Sequence, residues 1–189
     1  VISRTGWSSE LGYEIFLMDS SYGYDLYNSI MDIGYPMGLR PGHTSTIRRV
    51  EGGMLSYHAD MTINTNPLEL GMDKFIDLDK DFDFVGKEAL IRIAKKGPLR
   101  NQVGIIIEDK PMSGPNTRFW DVIKNDIVIG KVTSAVYSPR LKQNIGLALI
   151  DIKYSDIGEK LKVDNGLNLL DSRVVEKPFY DPNKNLTKS

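Results

Sequence analysis

Residues 4–16 read RTGWSSELGYEIF, and the interpretation of the fold depends on them. Residues 11–17 are dense in the aromatic and β-branched types that favour strands, and turn-forming residues precede them. We therefore predict two antiparallel strands joined by the loop 5–10. Because side chains alternate along a strand, the second strand has two faces. One face, predicted to be core, carries Leu11, Tyr13, Ile15 and Leu17.

The other face of this strand carries Gly12, Glu14 and Phe16, with Trp7 close by across the turn. A carboxylate beside aromatic rings suits a flat, guanidine-like heterocycle, since the acid accepts paired N–H bonds while the rings stack. The same residues also fit an exposed glutamate on an edge strand, with Trp7 and Phe16 packed as core. These residues alone leave both interpretations open.

Apolar spacing predicts three helices in the first half of the chain. The first follows Ser20-Ser21, with a serine as its cap, and ends before Gly34 and Pro36. The second spans about residues 44–51 and the third residues 87–96. After Pro98 the pattern changes to short β-type runs separated by turn residues, which predicts a small antiparallel barrel or sandwich. These runs are 103–107, 127–129, 131–136, 145–150, 160–163 and 167–175.

The predicted fold class is therefore α+β, with two domains. We place the boundary near residues 97–101, which gives an α/β portion at 1–98, a β-domain at 99–182 and a polar tail at 183–189. Val1 already lies within a strand-like run, so we interpret the chain as a fragment that lacks an amino-terminal half.

Composition bears on the class of partner. The 24 Lys and Arg residues nearly balance the 25 Asp and Glu residues, which argues against a nucleic-acid or membrane partner. No apolar run approaches the ~20 residues of a membrane helix and no signal peptide opens the chain, so we predict a cytoplasmic protein. With no cysteine, and with only His43 and His58 as histidines, we predict no metal site.

A family resemblance rests on several blocks in the same order. RTGWSSELGYEIF resembles the signature of the glycine-cleavage T-protein family, and IRRVEGG at 47–53 resembles that family's Leu-Arg-Leu-Glu-Ala-Gly segment. Further similar blocks lie at 56–57, 60–61, 66–69, 84–90, 132–134, 137–139, 144–148 and 178–180. The resemblance covers about residues 2–182. It implies part of a folate-binding α/β domain followed by a carboxy-terminal β-barrel.

The resemblance also implies a ligand. Glu14 would bind the pterin ring of tetrahydrofolate, Trp7 and Phe16 would help to wall the pocket, and Arg140 would lie near the glutamyl tail. The family's catalytic aspartate belongs to the absent half, so no catalytic residue is assigned and the fragment alone is expected to show little turnover.

Departures from the family pattern affect the predicted reaction. Residues 41–46 (PGHTST) replace the family's Ala-Arg-Asp-Ser, with Ser45 near the expected arginine, and His58 stands where a glycine usually follows the tyrosine. These departures count against a true aminomethyltransferase. Trp7, the Pro41-Gly42 pair before the second helix and residues 55–67 resemble dimethylsulfoniopropionate demethylase, a branch that moves a methyl group from a small-molecule sulfonium donor to tetrahydrofolate. Two alternatives are an aminomethyltransferase, which would need a lipoyl carrier protein, and a non-catalytic folate-binding module.

Overall fold

The computed structural model describes residues 1–188, and it opens with a short antiparallel hairpin. Strand β1 (Ile2–Ser3) pairs with β2 (Glu14–Ile15), and Ser3 lies opposite Glu14. The prediction of two antiparallel strands is confirmed, but the second strand is shorter than residues 11–17. The chain bends at residue 4 and again over 7–11, so only the ends of the hairpin can pair.

The prediction that one face of the second strand is buried as core was wrong for the described residues. Its side chains are between 40% and 63% exposed. No described element covers them, and alternation along a strand selects two faces without determining which face will be buried. The exposed side chains are Leu11, Tyr13, Ile15 and Leu17.

The three predicted helices are confirmed as α1 (Gly23–Gly34), α2 (Thr46–Glu51) and α3 (Lys87–Lys96). The serine cap predicted for the first helix differs from the structure. A 3-10 turn over Ser20–Tyr22 precedes α1, and the side chain of Asp19 accepts the hydrogen bond from the Ser21 N–H at 2.9 Å.

In the described part of the chain, six strands close an antiparallel barrel in the order β3-β6-β5-β4-β7-β8. The α+β class is confirmed, and the β-region is a barrel rather than a sandwich. Strand β4 was not predicted, and the runs 127–129 and 131–136 merge into one bulged strand, β5. The strands are β3 (Arg100–Ile107), β4 (Trp120–Lys124), β5 (Ile127–Ser138), β6 (Gln143–Asp151), β7 (Lys160–Asp164) and β8 (Leu169–Val175).

Strands β5 and β6 bury both of their faces, whereas β7 alternates between buried and exposed side chains. Inward side chains such as Ile105, Val132 and Ile150 form one core with contributions from every strand. Alternate side chains of β5 and β6 point outward and pack against Val50 of α2 and against Leu55 and Leu70 from the following loops. Those outward residues are Val136, Ile145 and Leu147. Residues 50–70 are therefore fixed to the outside of the barrel by hydrophobic burial.

The carboxy-terminal segment returns to the hairpin. A 3-10 turn spans Asn185–Thr187, and the Arg4 guanidinium donates to the Thr187 carbonyl at 2.9 Å. Ser189, the last residue of the predicted tail, lies outside the described residues. Among residues 1–188 no helix combines the length and apolar character needed to cross a membrane, and no cluster of metal-binding side chains occurs.

Candidate functional site

The hairpin presents Glu14 at its surface. Glu14 is exposed on β2, and the Thr5 hydroxyl donates a hydrogen bond to its Oε2. Phe16 follows two residues later and is 54% exposed, and Trp7, in the bent loop, is 40% exposed. Within residues 1–188 no ring contact joins Trp7 to Phe16. The sequence-predicted residues thus lie on one hairpin, on an open surface rather than in a closed pocket.

A cleft of about 410 Å³ lies between this hairpin, the segment after α2 and the carboxy-terminal turn. Its lining includes Arg4, Gly12, Met54 and Lys184. The hairpin loop approaches the end of α2 closely, since a Cβ on Gly52 would overlap the Ser9 hydroxyl. Only glycine permits that approach without a shift of the loop.

A network of ion pairs connects the hairpin loop to α2 and to the barrel. Glu10 accepts from Arg140 at 3.0 Å and pairs with Arg48 of α2 at 3.2 Å. Arg140 also lies 3.6 Å from Glu51, and its guanidinium stacks over the Tyr180 ring at 4.2 Å. The hydrogen bond to Glu10 raises the pKa of Arg140 above its ordinary value.

Arg140 is therefore already committed to two carboxylates and an aromatic ring. The sequence-based suggestion that it lies near a glutamyl tail gains no support from these contacts. Its observed role is to connect the hairpin loop to the end of β5, which positions the face that carries Glu14.

A second, buried network holds the loop after α2 against the barrel. Asp60 is 1% exposed and accepts from the Arg49 guanidinium at 2.8 Å. Ser134 of β5 donates to Asp60 at 2.7 Å and accepts from Arg49 at 2.8 Å, and Thr133 donates to Asp60 at 2.6 Å. All four side chains are thus satisfied by one another, which a buried ion pair requires.

Lys177 lies close to this network. Burial lowers the pKa of Lys177 to about 8, and the negative charge of Asp60 opposes part of that shift. The side chain packs beside Gly53, whose own Cβ would meet that of Lys177 at 3.6 Å. Because its pKa is lowered, Lys177 loses its proton at a lower pH than an exposed lysine does.

Sequence reasoning did not predict the Arg49–Asp60 network. Both residues fell within blocks of the family resemblance, but neither was given a role. The sequence offered no local signal for it, because charged residues beside an apolar position such as Val50 are equally usual on the solvent face of an amphipathic helix.

Two family models match the chain, one for each part. The "GCVT N-terminal domain" matches residues 1–80, and the "Glycine cleavage T-protein C-terminal barrel domain" matches residues 100–181. The second match coincides with the closed barrel described above.

Curated relatives show the same similarity. An "Aminomethyltransferase" of Thermoanaerobacter sp. (strain X514) is 35% identical over 186 residues, which are 97% of this chain and 49% of the relative. An "Aminomethyltransferase" of Oceanobacillus iheyensis is 36% identical over 183 residues, which are 95% of this chain and 48% of the relative. The chain thus spans about half the length of these relatives.

A solved structure shares the fold. The crystal structure of glycine cleavage system aminomethyltransferase T from Bartonella henselae superposes with a TM-score of 0.81 at 20% identity, covering 95% of this chain and 49% of the other. At that identity the likeness establishes the architecture alone.

Proposed function

Because the chain belongs to the glycine-cleavage T-protein family, we propose that its parent protein transfers a one-carbon unit to tetrahydrofolate. The observation that carries the proposal is the match of both family domains, in order, over residues 1–80 and 100–181. The relatives named above are aminomethyltransferases, so aminomethyl transfer from a lipoyl carrier protein is the favoured reaction.

In this proposal Glu14 holds the pterin ring. One edge of a reduced pterin presents adjacent N–H groups, and the two oxygens of a carboxylate can accept a pair of hydrogen bonds from them. The Thr5 hydrogen bond orients the carboxylate, and the Glu10–Arg140 contact fixes the loop of the same hairpin. Phe16 and Trp7 offer exposed apolar faces on which a flat ring can stack.

The amino-terminal half of the parent protein is the proposed partner of this surface. Both the hairpin and α1 expose large apolar side chains, among them Ile2, Tyr13, Tyr24 and Ile33, at 63% to 76%. Extended apolar exposure indicates an interaction surface. A half that covers it would also exclude water from the ring bound to Glu14, so we expect residues 1–189 alone to show little or no turnover.

Methyl transfer from a sulfonium such as dimethylsulfoniopropionate is the second candidate. It is supported by a departure in sequence, since Ser45 stands near the position where the family has an arginine. The Ser45 hydroxyl caps α2 by accepting from the Arg48 N–H at 3.3 Å, a structural contact common to either reaction. A sulfonium is already activated. A nitrogen–carbon bond forms as the carbon–sulfur bond breaks, the electron pair leaves with sulfur as a neutral sulfide, and the methylated nitrogen releases its proton to solvent. Such a transfer depends on alignment more than on an acid or base.

Donor identity separates the two reactions. The parent protein is supplied with tetrahydrofolate and either an aminomethyl-lipoyl carrier or dimethylsulfoniopropionate, and the folate product is identified by mass spectrometry. Aminomethyl transfer yields a methylene adduct with release of ammonia, and sulfonium demethylation yields a methyl adduct. Absence of both products, together with no folate binding, would leave only a structural module.

The role of Glu14 is tested by calorimetric titration of the parent protein with 5-formyltetrahydrofolate. We expect Glu14→Gln to weaken binding by about 10-fold or more, because a charge-assisted pair becomes a neutral contact. Glu88→Gln is the matched control, since Glu88 is an exposed α3 side chain whose only described ion pair spans 3.7 Å to Arg92. Equal affinities for the wild type and Glu14→Gln would contradict the assignment.

A further inference from the structure

A groove on the barrel wall lies outside the hairpin site. It has a volume of about 560 Å³ and separates the loop that follows α2 from the loop that precedes β4. Tyr57 and His58 line one side, Arg118 and Phe119 line the other, and Thr133 of β5 contributes to the lining between them. We call these five residues the cationic groove.

Both sides of the cationic groove are fixed to the same strand. Asp60, two residues after His58, accepts hydrogen bonds from Thr133 and Ser134, and the His58 N–H donates to the Met61 carbonyl at 2.8 Å. The groove is therefore anchored to β5 on this side through a buried carboxylate.

Asn116 anchors the opposite side. Its N–H donates to the Ala135 carbonyl at 3.1 Å, and its side-chain oxygen accepts from the Ala135 N–H at 2.6 Å. The Asn116 amide nitrogen also donates to the Arg118 carbonyl at 2.8 Å. Because residues 133–135 of β5 hold both sides, the groove is preformed, which lowers the entropic cost of binding a ligand.

The groove carries uncompensated positive character. The Arg118 guanidinium donates to the Asn165 carbonyl at 2.9 Å, a neutral partner. Within residues 1–188 neither Arg118 nor His58 has a carboxylate within salt-bridge distance, and no acidic side chain lines the groove. Two half-exposed aromatic rings flank this charge, Tyr57 and Phe119. Such a lining suits an anionic group attached to an apolar or flat body.

The backbone of His58 supports the same conclusion. Its φ is +70°, a conformation that glycine adopts readily and that costs an L-residue energy. The imidazole packs edge-on against Tyr57, with ring centroids 4.4 Å apart. A non-glycine residue held at positive φ on the lining of a cavity motivates a hypothesis of function there.

We propose that the cationic groove binds a carboxylate carried by a ligand of the one-carbon reaction, with Arg118 and His58 donating to it and Tyr57 and Phe119 flanking the attached body. This inference rests on the proposed function and deepens it. The carboxylate has two available sources. One is the glutamyl end of the folate, which both candidate reactions use, and the other is the carboxylate of dimethylsulfoniopropionate, the donor of the second candidate reaction.

The test uses the full parent protein and two folates. Calorimetry measures the affinity for 5-formyltetrahydrofolate and for 5-formyltetrahydropteroate, which lacks the glutamyl group, in Arg118→Met and His58→Gly. His58→Gly relieves the positive φ, so it should fold, and Arg173→Met is the control because Arg173 pairs with Glu108 elsewhere on the barrel. The KM for dimethylsulfoniopropionate is measured with the same variants.

If the groove binds the glutamyl tail of the folate, Arg118→Met weakens the binding of 5-formyltetrahydrofolate by about 10-fold, while the affinity for 5-formyltetrahydropteroate changes little. If it binds the donor, the KM for the sulfonium rises by a similar factor while both folate affinities hold. Either result supports the inference. Equal weakening of both folates, or no change in either folate affinity or in KM, overturns it.

Failure of the groove can be told apart from failure of the proposed function. If the wild-type parent binds 5-formyltetrahydrofolate and Glu14→Gln weakens that binding, the folate proposal stands whatever the groove variants do. If the wild type binds no folate and turns over neither donor, the proposed function fails and the inference about the groove fails with it.

Discussion

Replacement of Asp60 by asparagine should destabilise the chain strongly. The carboxylate is 1% exposed and accepts from Arg49, Thr133, Ser134 and the Ser56 N–H, all between 2.6 and 2.9 Å. Asparagine keeps the shape but removes the charge, which leaves the Arg49 guanidinium buried without its counter-ion. Breaking a buried pair in this way costs about 3–5 kcal/mol. Since the amide oxygen can still accept some of these bonds, we expect about 3 kcal/mol.

Urea denaturation of residues 1–189 measures this loss. Trp120 packs on the barrel core and reports its unfolding, and a Trp7→Phe background removes the second tryptophan signal. Asp77→Asn is the matched control, because its exposed pair with Lys80 at 3.6 Å is worth at most about 1 kcal/mol. A loss below about 1 kcal/mol for Asp60→Asn, or one equal to that of the control, would refute the reasoning.

Two further substitutions test contacts near α2, one at Lys177 beside this network and one at Gly52 against the hairpin loop. Lys177→Met should raise the free energy of unfolding at pH 7 by about 2 kcal/mol: the drop in pKa from 10.5 to about 8 corresponds to about 3 kcal/mol, less a discount for residual solvent contact. Between pH 8 and 10.5 the Lys177 side chain binds fewer protons in the folded state than in the unfolded state, so the wild-type free energy of unfolding rises across this range. The stabilisation by methionine should therefore vanish above pH 10.5. A stabilisation that does not depend on pH would contradict this account of Lys177. Gly52→Ala should cost about 1–3 kcal/mol because its methyl group overlaps the Ser9 hydroxyl, whereas Gly114→Ala, which meets nothing within 4 Å, should lie near the wild type in the same urea titration.

The barrel could be predicted because its strands are short runs of strand-favouring residues separated by turn residues. Two errors have local causes. Strand β4 is only five residues long and follows a long polar loop, so Val122 was its main inward signal. Gly130 was interpreted as a break between two strands, but it lies inside β5, where a Cβ would overlap the Leu149 carbonyl of β6. Glycine permits close strand approach there and does not end the strand.

The candidate site was predictable in part. The hairpin and the position of Glu14 on its second strand followed from residue types, while the pairing of that carboxylate with a pterin remains a proposal that rests on family membership. The Asp60 network was beyond sequence reasoning for a physical reason. Ser134 is 74 residues from Asp60 and 85 from Arg49, so no local spacing places these groups together.

The outward face of the barrel has a consequence for how this protein can be divided. Val136, Ile145 and Leu147 are covered by side chains that precede residue 72, although the barrel itself begins at Arg100. A cut in the linker before β3 would leave the barrel closed, but it would remove the side chains that cover these apolar residues and expose them to solvent. Recombination or expression of the barrel module should therefore carry residues 45–72 along with it, because the unit that unfolds cooperatively is wider than the unit that the strands outline.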